Sequence, residues 1–446
     1  MDIFRKHGDL LLFTLALAVL ISLFYRLNFS SVNYLREAAS RPTVVFSHWW
    51  EGYLPENTLM ALKDEFEILH QGISIVFDNR SYEEIRESLF KFEFAEGAPG
   101  AAEDPGGPQA PEAAEAYLFG GDLFAFDLLW APELIHRGLI DENWNDQRGG
   151  QILSYINVLY YNIDILKEAG FSSPPKTRNE FLDYARAVSD GGNNRWALSL
   201  DLAGSRGIYY DIFPWIWAAG LELIRNNRPE VNNRQLIDSL GFIASLFNEG
   251  LVVPEAFSAG AGNKLEDFVS GRAAFIIAPE WDIVYVRERM GEESFSVTNI
   301  PIPDNYMGRT FYSAGSWALE VNPASRVSAE ARLFADFLAG RSAFLSEKAG
   351  TISGTNIPRP GSDPHFSKIW DIAIDAEIAG EFRGFPWTPL EEIFREELAA
   401  LIAPDSAAQA GSPVSESSHA AAAAAIQRRW LEVLDNLLSD NLLSDN

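Results

Sequence analysis

The sequence contains no cysteine, which excludes disulfides, thiolate metal sites and a cysteine nucleophile. Cations are scarce: 35 Lys and Arg stand against 63 Asp and Glu, a formal net charge of -28. So acidic a surface repels phosphate backbones and excludes nucleic acid as a partner. The six histidines are scattered, with no HExxH pair and no other ligand-like spacing, so neither a metal nor another cofactor is expected. The run from Asp141 resembles a calcium loop only faintly, because Asp146 stands where glycine is required and Ile152 where glutamate is. No Gly-rich phosphate loop is present, and Gly204-Ser205-Arg206-Gly207 lacks the context of a nucleophile elbow. Glu51 and Glu56 could form a glycosidase pair, but among 63 acidic residues such neighbours arise by chance. Nothing assembles an active site, and the chain is not expected to be an enzyme.

What is present is a globular chain of 446 residues, long enough for two or three cores, with 47% hydrophobic and 13% aromatic residues. Residues 10–25 form an uncharged apolar run behind Arg5 and Lys6. As a helix it spans roughly 24 Å, slightly short for a hydrocarbon core. It reads as an N-terminal membrane anchor within a segment 1–41, with a cleaved signal peptide as the competing reading. Residues 96–116, rich in Pro, Gly, Ala and acid, read as a mobile insertion, and residues 404–425 as a flexible linker. Residues 426–446 hold a terminal helix around Trp430 and a tandem NLLSDNLLSDN.

Between these segments strands alternate with helices. Strands are expected at 43–47, 73–77, 125–130, 158–161, 273–278 and 316–321. Helices are expected at 57–70, with Leu59, Leu62, Phe66 and Leu69 inward, and around Leu236, Leu240, Ile243 and Phe247. A further helix at 329–338 carries Leu333 and Phe337. Ser81 with Glu84, and Thr177 with Glu180, have the spacing of capping boxes. The alternation implies an α/β protein with largely parallel sheets.

Twelve tryptophans are many for this length. Any one of them can simply fill the core, but an indole also stacks on the flat C–H face of a sugar ring. In open α/β sheets ligands bind beyond the carboxyl ends of strands. His48, Trp49, Trp50 and Glu51 follow the first strand, and Trp130 ends another. Trp281 and Asp282 follow the strand 273–278, and Trp317 sits in a late strand. These are candidate ligand residues.

The stretch VLYYNIDILKEAGFSSPPKTRNEF, residues 158–181, is a strand, a short helix closed by Gly170, two prolines and a capped helix. It resembles the hinge-proximal segment of family-1 extracellular solute-binding proteins, the receptors of carbohydrate-importing ABC transporters. FDLLWA at 126–131 is similar to the family's acid-bearing strand, with Asp127 matching the acid and Phe126 in place of the usual proline. YYDIFPWIWAAG at 209–220, which holds Tyr210 and Trp215, resembles an aromatic segment of the sugar site. FVSGRAAFIIAPEW at 268–281 is similar to the run that leads to a ligand-stacking tryptophan, here Trp281. YSAGSWALEV at 312–321, with Ser316 and Trp317, resembles a lobe crossing. FPWTPLEEI at 385–393 resembles a segment whose aromatic, Trp387, closes over the sugar.

The resemblance implies a two-lobed α/β fold of the type II periplasmic-binding-protein kind behind the N-terminal anchor helix. It implies one lobe of residues 43–156 and 272–311 and another of 157–271 and 312–401. A monomer outside the cytoplasm, tethered to the membrane through its N-terminal helix, would close about a hinge on a carbohydrate ligand and pass it to ABC permease subunits. The alternative function is a tethered carbohydrate sensor with the same fold. The absent cysteine also removes the lipid tether usual in this family.

Overall fold

The computed structural model describes residues 41–91, 121–141, 151–203, 207–225, 228–258, 263–308, 311–351, 363–375, 377–379, 387–402 and 415–444. The expected anchor at 10–25 and the insertion at 96–116 lie outside them. Among the described residues no helix is long and apolar enough to cross a membrane.

The strands, in chain order, are β1 (Thr43–His48), β2 (Ser74–Asn79), β3 (Leu123–Asp127), β4 (Gln151–Asn162) and β5 (Trp196–Ser199). A two-stranded ribbon of β6 (Ile224–Arg225) and β7 (Arg228–Pro229) follows, then β8 (Ala273–Pro279), β9 (Phe295–Thr298), β10 (Phe311–Val321) and β11 (Glu377–Ala379). The main sheet runs β2-β1-β3-β10-β4-β8-β5, with β9 on β4 and β11 on β10. Every residue of β8 is buried, as a continuous apolar strand covered on both faces must be.

The sheet is mixed, which corrects the largely parallel expectation. β1 runs parallel to β2 and β3, and β5 parallel to β8. In the middle, β10 is antiparallel to β3 and β4, and β4 to β8 and β9. Strand–helix alternation reports the crossovers at each end of the sheet. It is silent on the direction in which two long strands thread between the ends.

Pairing within the sheet links segments distant in sequence. β8 pairs with β5 and with Val158 to Tyr161 of β4. Trp317 to Val321 pair with β3, and Phe334 of the helix Ser328–Ala339 meets Phe66 of the helix Thr58–Leu69 at 4.9 Å. The long strands β4 and β10 therefore join the β1–β3 end of the sheet to the β8–β5 end. The helix Lys264–Val269 packs on β8, the strand that it precedes.

Both capping boxes form. Thr177 Oγ1 and the Glu180 carboxylate satisfy each other's backbone N–H at the start of the helix Arg178–Val188. Ser81 and Glu84 do the same before Tyr82–Lys91. Gly170 takes a φ of +90°, and Phe171 N–H reaches back to Leu166 O at 2.9 Å. On the first expected helix Leu59, Leu62 and Phe66 are buried and only Leu69, in its last turn, is exposed; on the later one Leu333 is exposed, Phe337 packs on Phe66 at 5.4 Å, and Phe334 and Leu338 are buried. The terminal helix runs Glu416–Ser444, and so begins inside the stretch expected to be flexible. Its run of alanines is the strongest of helix formers, and Trp430 anchors it by donating Nε1–H to Leu390 O at 3.0 Å.

Candidate functional site

The site begins where β1, β3 and β8 end. β3 stops at Asp127, whose buried carboxylate accepts the Leu129 N–H at 3.0 Å and so turns the chain through Leu128–Trp130. The same carboxylate accepts the Tyr82 hydroxyl at 3.2 Å and lies 3.4 Å from the Tyr155 hydroxyl. Tyr155 Oη in turn touches Tyr210 Oη. Burial, reinforced by the Asp127 charge, pushes the Tyr155 phenol well above its ordinary value, so it remains a donor.

Around this polar centre the aromatic rings form one continuous chain. Trp130 packs on Tyr82 at 4.6 Å and on Trp49 at 5.4 Å. Trp49 meets Trp317 edge-on at 5.4 Å, and Trp50 lies nearly parallel to Trp317 at 6.3 Å. Trp281 contacts Trp317 at 5.3 Å, Tyr155 at 4.6 Å and Tyr53 at 5.2 Å. The chain therefore joins residues after β1 and β3 to a residue after β8, across the long strands β4 and β10. Trp281 and Tyr53 are half-buried and the other indoles are sealed. The indole N–H groups of Trp49, Trp50 and Trp317 are buried with no hydrogen-bond partner among the described residues, a cost that proteins seldom leave standing.

Not every expected residue joins this group. Trp215 is fully buried against Phe181 at 4.9 Å and Phe242 at 5.1 Å, in a core behind β8. Trp387 packs on Tyr209 and Phe213 at 5.3 and 5.1 Å, one ring removed from Tyr210. Glu51 is exposed and accepts the Asn79 amide at 2.8 Å. His48 is buried beside Phe46 and Phe77, with Nδ1 accepting Trp50 N–H at 3.2 Å. Burial lowers its pKa to about 4, so it is a neutral residue that orients the turn carrying Trp50. Ser316 Oγ is 2.9 Å from Ser154 Oγ, across β10 and β4. Asp282 follows Trp281, half-buried, and desolvation raises its pKa to about 7 despite the charge of Lys264.

Sequence reasoning missed Tyr53, Tyr82 and Tyr155 because it sought tryptophans. A usable signal was Gly315, which stands opposite Tyr155 in the β4–β10 register and leaves room for its ring. It also missed the buried pair Asp211–Lys264 at 2.5 Å.

The sequence profile of bacterial extracellular solute-binding proteins matches residues 53–343. The chain belongs to that family. A probable ABC transporter-binding protein of Deinococcus radiodurans is 25% identical to this solute-binding protein over 249 residues. That alignment spans 49% of this chain and 58% of the relative, so the chain covers little more than half of it. The GacH receptor of Streptomyces glaucescens, solved unliganded and with acarbose, superposes with a TM-score of 0.65 at 18% identity, covering 89% of this chain and 99% of GacH. An ABC transporter solute-binding protein of Thermotoga lettingae bound with α-D-tagatose gives 0.62 at 18% identity, covering 87% and 100%. At these identities the likeness establishes the fold, a mixed α/β architecture with one large sheet.

Proposed function

We propose that this solute-binding protein captures a sugar or oligosaccharide outside the cytoplasm and hands it to the permease of an ABC importer. The observation that carries the reading is the chain of rings through Trp49, Trp317 and Trp281, which draws on both ends of the sheet. Stacking surfaces of this kind suit the C–H faces of pyranoses, and unpartnered indole N–H groups suit their hydroxyl oxygens. In this reading one half comprises residues 43–141 and 316–339, and the other 157–308 and 387–444. β4 and β10 are the hinge. Ligand contacts available only in the closed form would supply the free energy of closure. The relatives named above, one bound to acarbose and one to tagatose, favour a saccharide over other solutes. Intrinsic tryptophan fluorescence, titrated with mono- and oligosaccharides and paired with thermal shift, tests it. Saturable quenching and a raised melting temperature are expected, and no response to any sugar overturns the reading.

A further inference from the structure

Tyr210 extends the ring chain by one member. Its ring lies nearly parallel to that of Tyr155 at 6.0 Å, and the two hydroxyls touch. Tyr155 in turn packs on Trp281 at 4.6 Å. Tyr210 is carried on Ile208–Ile212, a single π-helical turn whose five residues are all buried. Such turns are rare and recur at functional sites, where they aim a side chain that an α-helix would direct elsewhere. So short a helical segment does not hold its geometry unaided, and its neighbours must supply the hold.

Two charged groups do so, one at each end. Glu391, on the helix Trp387–Ile402, accepts the Ile208 N–H at 3.1 Å. Asp211, directly after Tyr210, is fully buried and engaged at both oxygens. Its Oδ1 accepts a hydrogen bond from Lys264 Nζ at 2.5 Å, and its Oδ2 one from the Asp201 N–H at 2.8 Å. Lys264 opens the helix Lys264–Val269, where a cation opposes the helix dipole and local structure gives no reason for one. The other acids of that turn, Glu266 and Asp267, are paired with Arg289 and Arg272. Asp211 is the partner that accounts for Lys264. A buried ion pair adds little net stability, and its better use is to fix one arrangement among several.

We infer that Lys264 is a positioning residue for ligand binding: by holding Asp211 it fixes the π-helical turn in the register that lays Tyr210 against Tyr155. This rests on the saccharide reading above, and it extends the ligand's aromatic surface from Trp281 through Tyr155 to Tyr210. Without the ammonium group the Asp211 carboxylate is buried with no counter-charge and keeps the Asp201 N–H as its donor. The turn then shifts to bring that carboxylate toward water, and Tyr210 leaves Tyr155 with it. The charge of Lys264 also reaches Asp282, the residue after Trp281. A loss of affinity that did not depend on Tyr210 would belong there or to the fold at large.

The test is a double-mutant cycle on the full chain, Lys264→Met against Tyr210→Ala. Glucose, galactose, maltose, maltotriose and cellobiose are titrated calorimetrically, and the tightest binder is carried through the cycle. Lys264→Met alone is expected to weaken binding by about tenfold. In the Tyr210→Ala background the same substitution should change affinity by less than about twofold. Loss by the same factor in both backgrounds, or unchanged affinity in Lys264→Met, overturns this inference and leaves the saccharide reading standing. Absence of binding by every one of these sugars overturns both. If Tyr210→Ala binds too weakly to measure, a crystal structure of Lys264→Met decides: Tyr210 displaced from Tyr155 supports the inference, and Tyr210 in place overturns it. Should Lys264→Met melt far below the native chain, Lys264→Met combined with Asp211→Asn replaces it, since that pair leaves no buried charge unmatched. The expected and overturning results are then the same.

Discussion

The ring of Tyr155 on β4 fills the space that a side chain at residue 315 on β10 would need. The two residues are directly opposed in the antiparallel register, and a Cβ built on Gly315 would fall well inside contact distance of the Tyr155 hydroxyl. Glycine here provides clearance for a neighbour. Gly315→Val is therefore expected to expel the ring, separating its hydroxyl from Asp127 and Tyr210 and its face from Trp281. Overpacking of this kind costs about 1–3 kcal/mol. Chemical denaturation measures that loss, and ligand titration should show affinity falling by about tenfold or more. Tyr155→Phe keeps the ring and removes the hydroxyl. If it binds sugar as weakly as Gly315→Val, the hydroxyl and not the ring's position is what matters.

Trp281 and Trp215 look alike in sequence, each in an aromatic run near a glycine or proline, and separate on substitution. Trp215→Ala empties a sealed core site between Phe181 and Phe242 and should cost about 3–5 kcal/mol in stability, with ligand affinity unchanged within about twofold. Trp281→Ala removes a half-buried ring from the aromatic chain. Its larger effect should be on binding, about tenfold or more, with a smaller loss of stability. Equilibrium unfolding and fluorescence titration on the two variants distinguish them, and reversed results would move the site behind β8.

The difference between those two residues marks how far the sequence could be read. Local signals carried well: the Thr177 and Ser81 capping boxes, the Gly170 helix end and the uninterrupted apolar strand β8 all form as the spacing implies. Trp49, Trp50, Trp130, Trp281 and Trp317 do come together: the first four follow the ends of β1, β3 and β8, and Trp317 lies within β10, where that strand passes Asp127 at the end of β3. What was not legible depends on long-range pairing. Which segments share an end of the sheet is decided by β4 and β10, whose direction leaves no trace in composition. For the same reason Trp215, packed between Phe181 and Phe242, could not be told from a residue of the ring chain. Leu69 is exposed because it ends its helix, past the turn that Phe66 buries, and Leu333 because a face fixed by two apolar residues tolerates a rotation of one position.

Arg86 and Thr388 are joined by a 2.8 Å hydrogen bond between the helix Tyr82–Lys91, beside β1, and the helix Trp387–Ile402, which packs on the terminal helix. In the proposed two-half arrangement this bond ties the halves together. Arg86→Ala should therefore accelerate ligand release, with affinity falling about two- to tenfold, as expected for one charged but partly exposed hydrogen bond. Stopped-flow fluorescence separates the rates. An unchanged dissociation rate would mean that the contact does not resist opening.

Glu391 provides the sharpest pH dependence. Its carboxyl is buried and accepts the Ile208 N–H at 3.1 Å, and desolvation pushes its pKa up to about 8, against the pull of Arg86. In the unfolded chain the same group ionises at its ordinary value of 4.5. Between those two values the folded state holds a proton that the unfolded state has released, so Glu391 makes stability fall as pH rises through that window and level off above about 8. His48 acts in the opposite sense at lower pH. Its pKa drops from 6.5 to about 4 on folding, so stability rises as pH climbs between those values. Comparison of Glu391→Gln with the native chain cancels that background. Glutamine can still accept the Ile208 N–H but has no proton to lose. The variant should match the native chain near pH 4, gain on it steadily through pH 5–8, and hold a constant advantage beyond. Urea unfolding at pH 4, 5.5, 7 and 8.5 measures the difference. Parallel pH profiles for the two proteins would show that Glu391 ionises at its ordinary value in the fold, and that its burial carries no linkage.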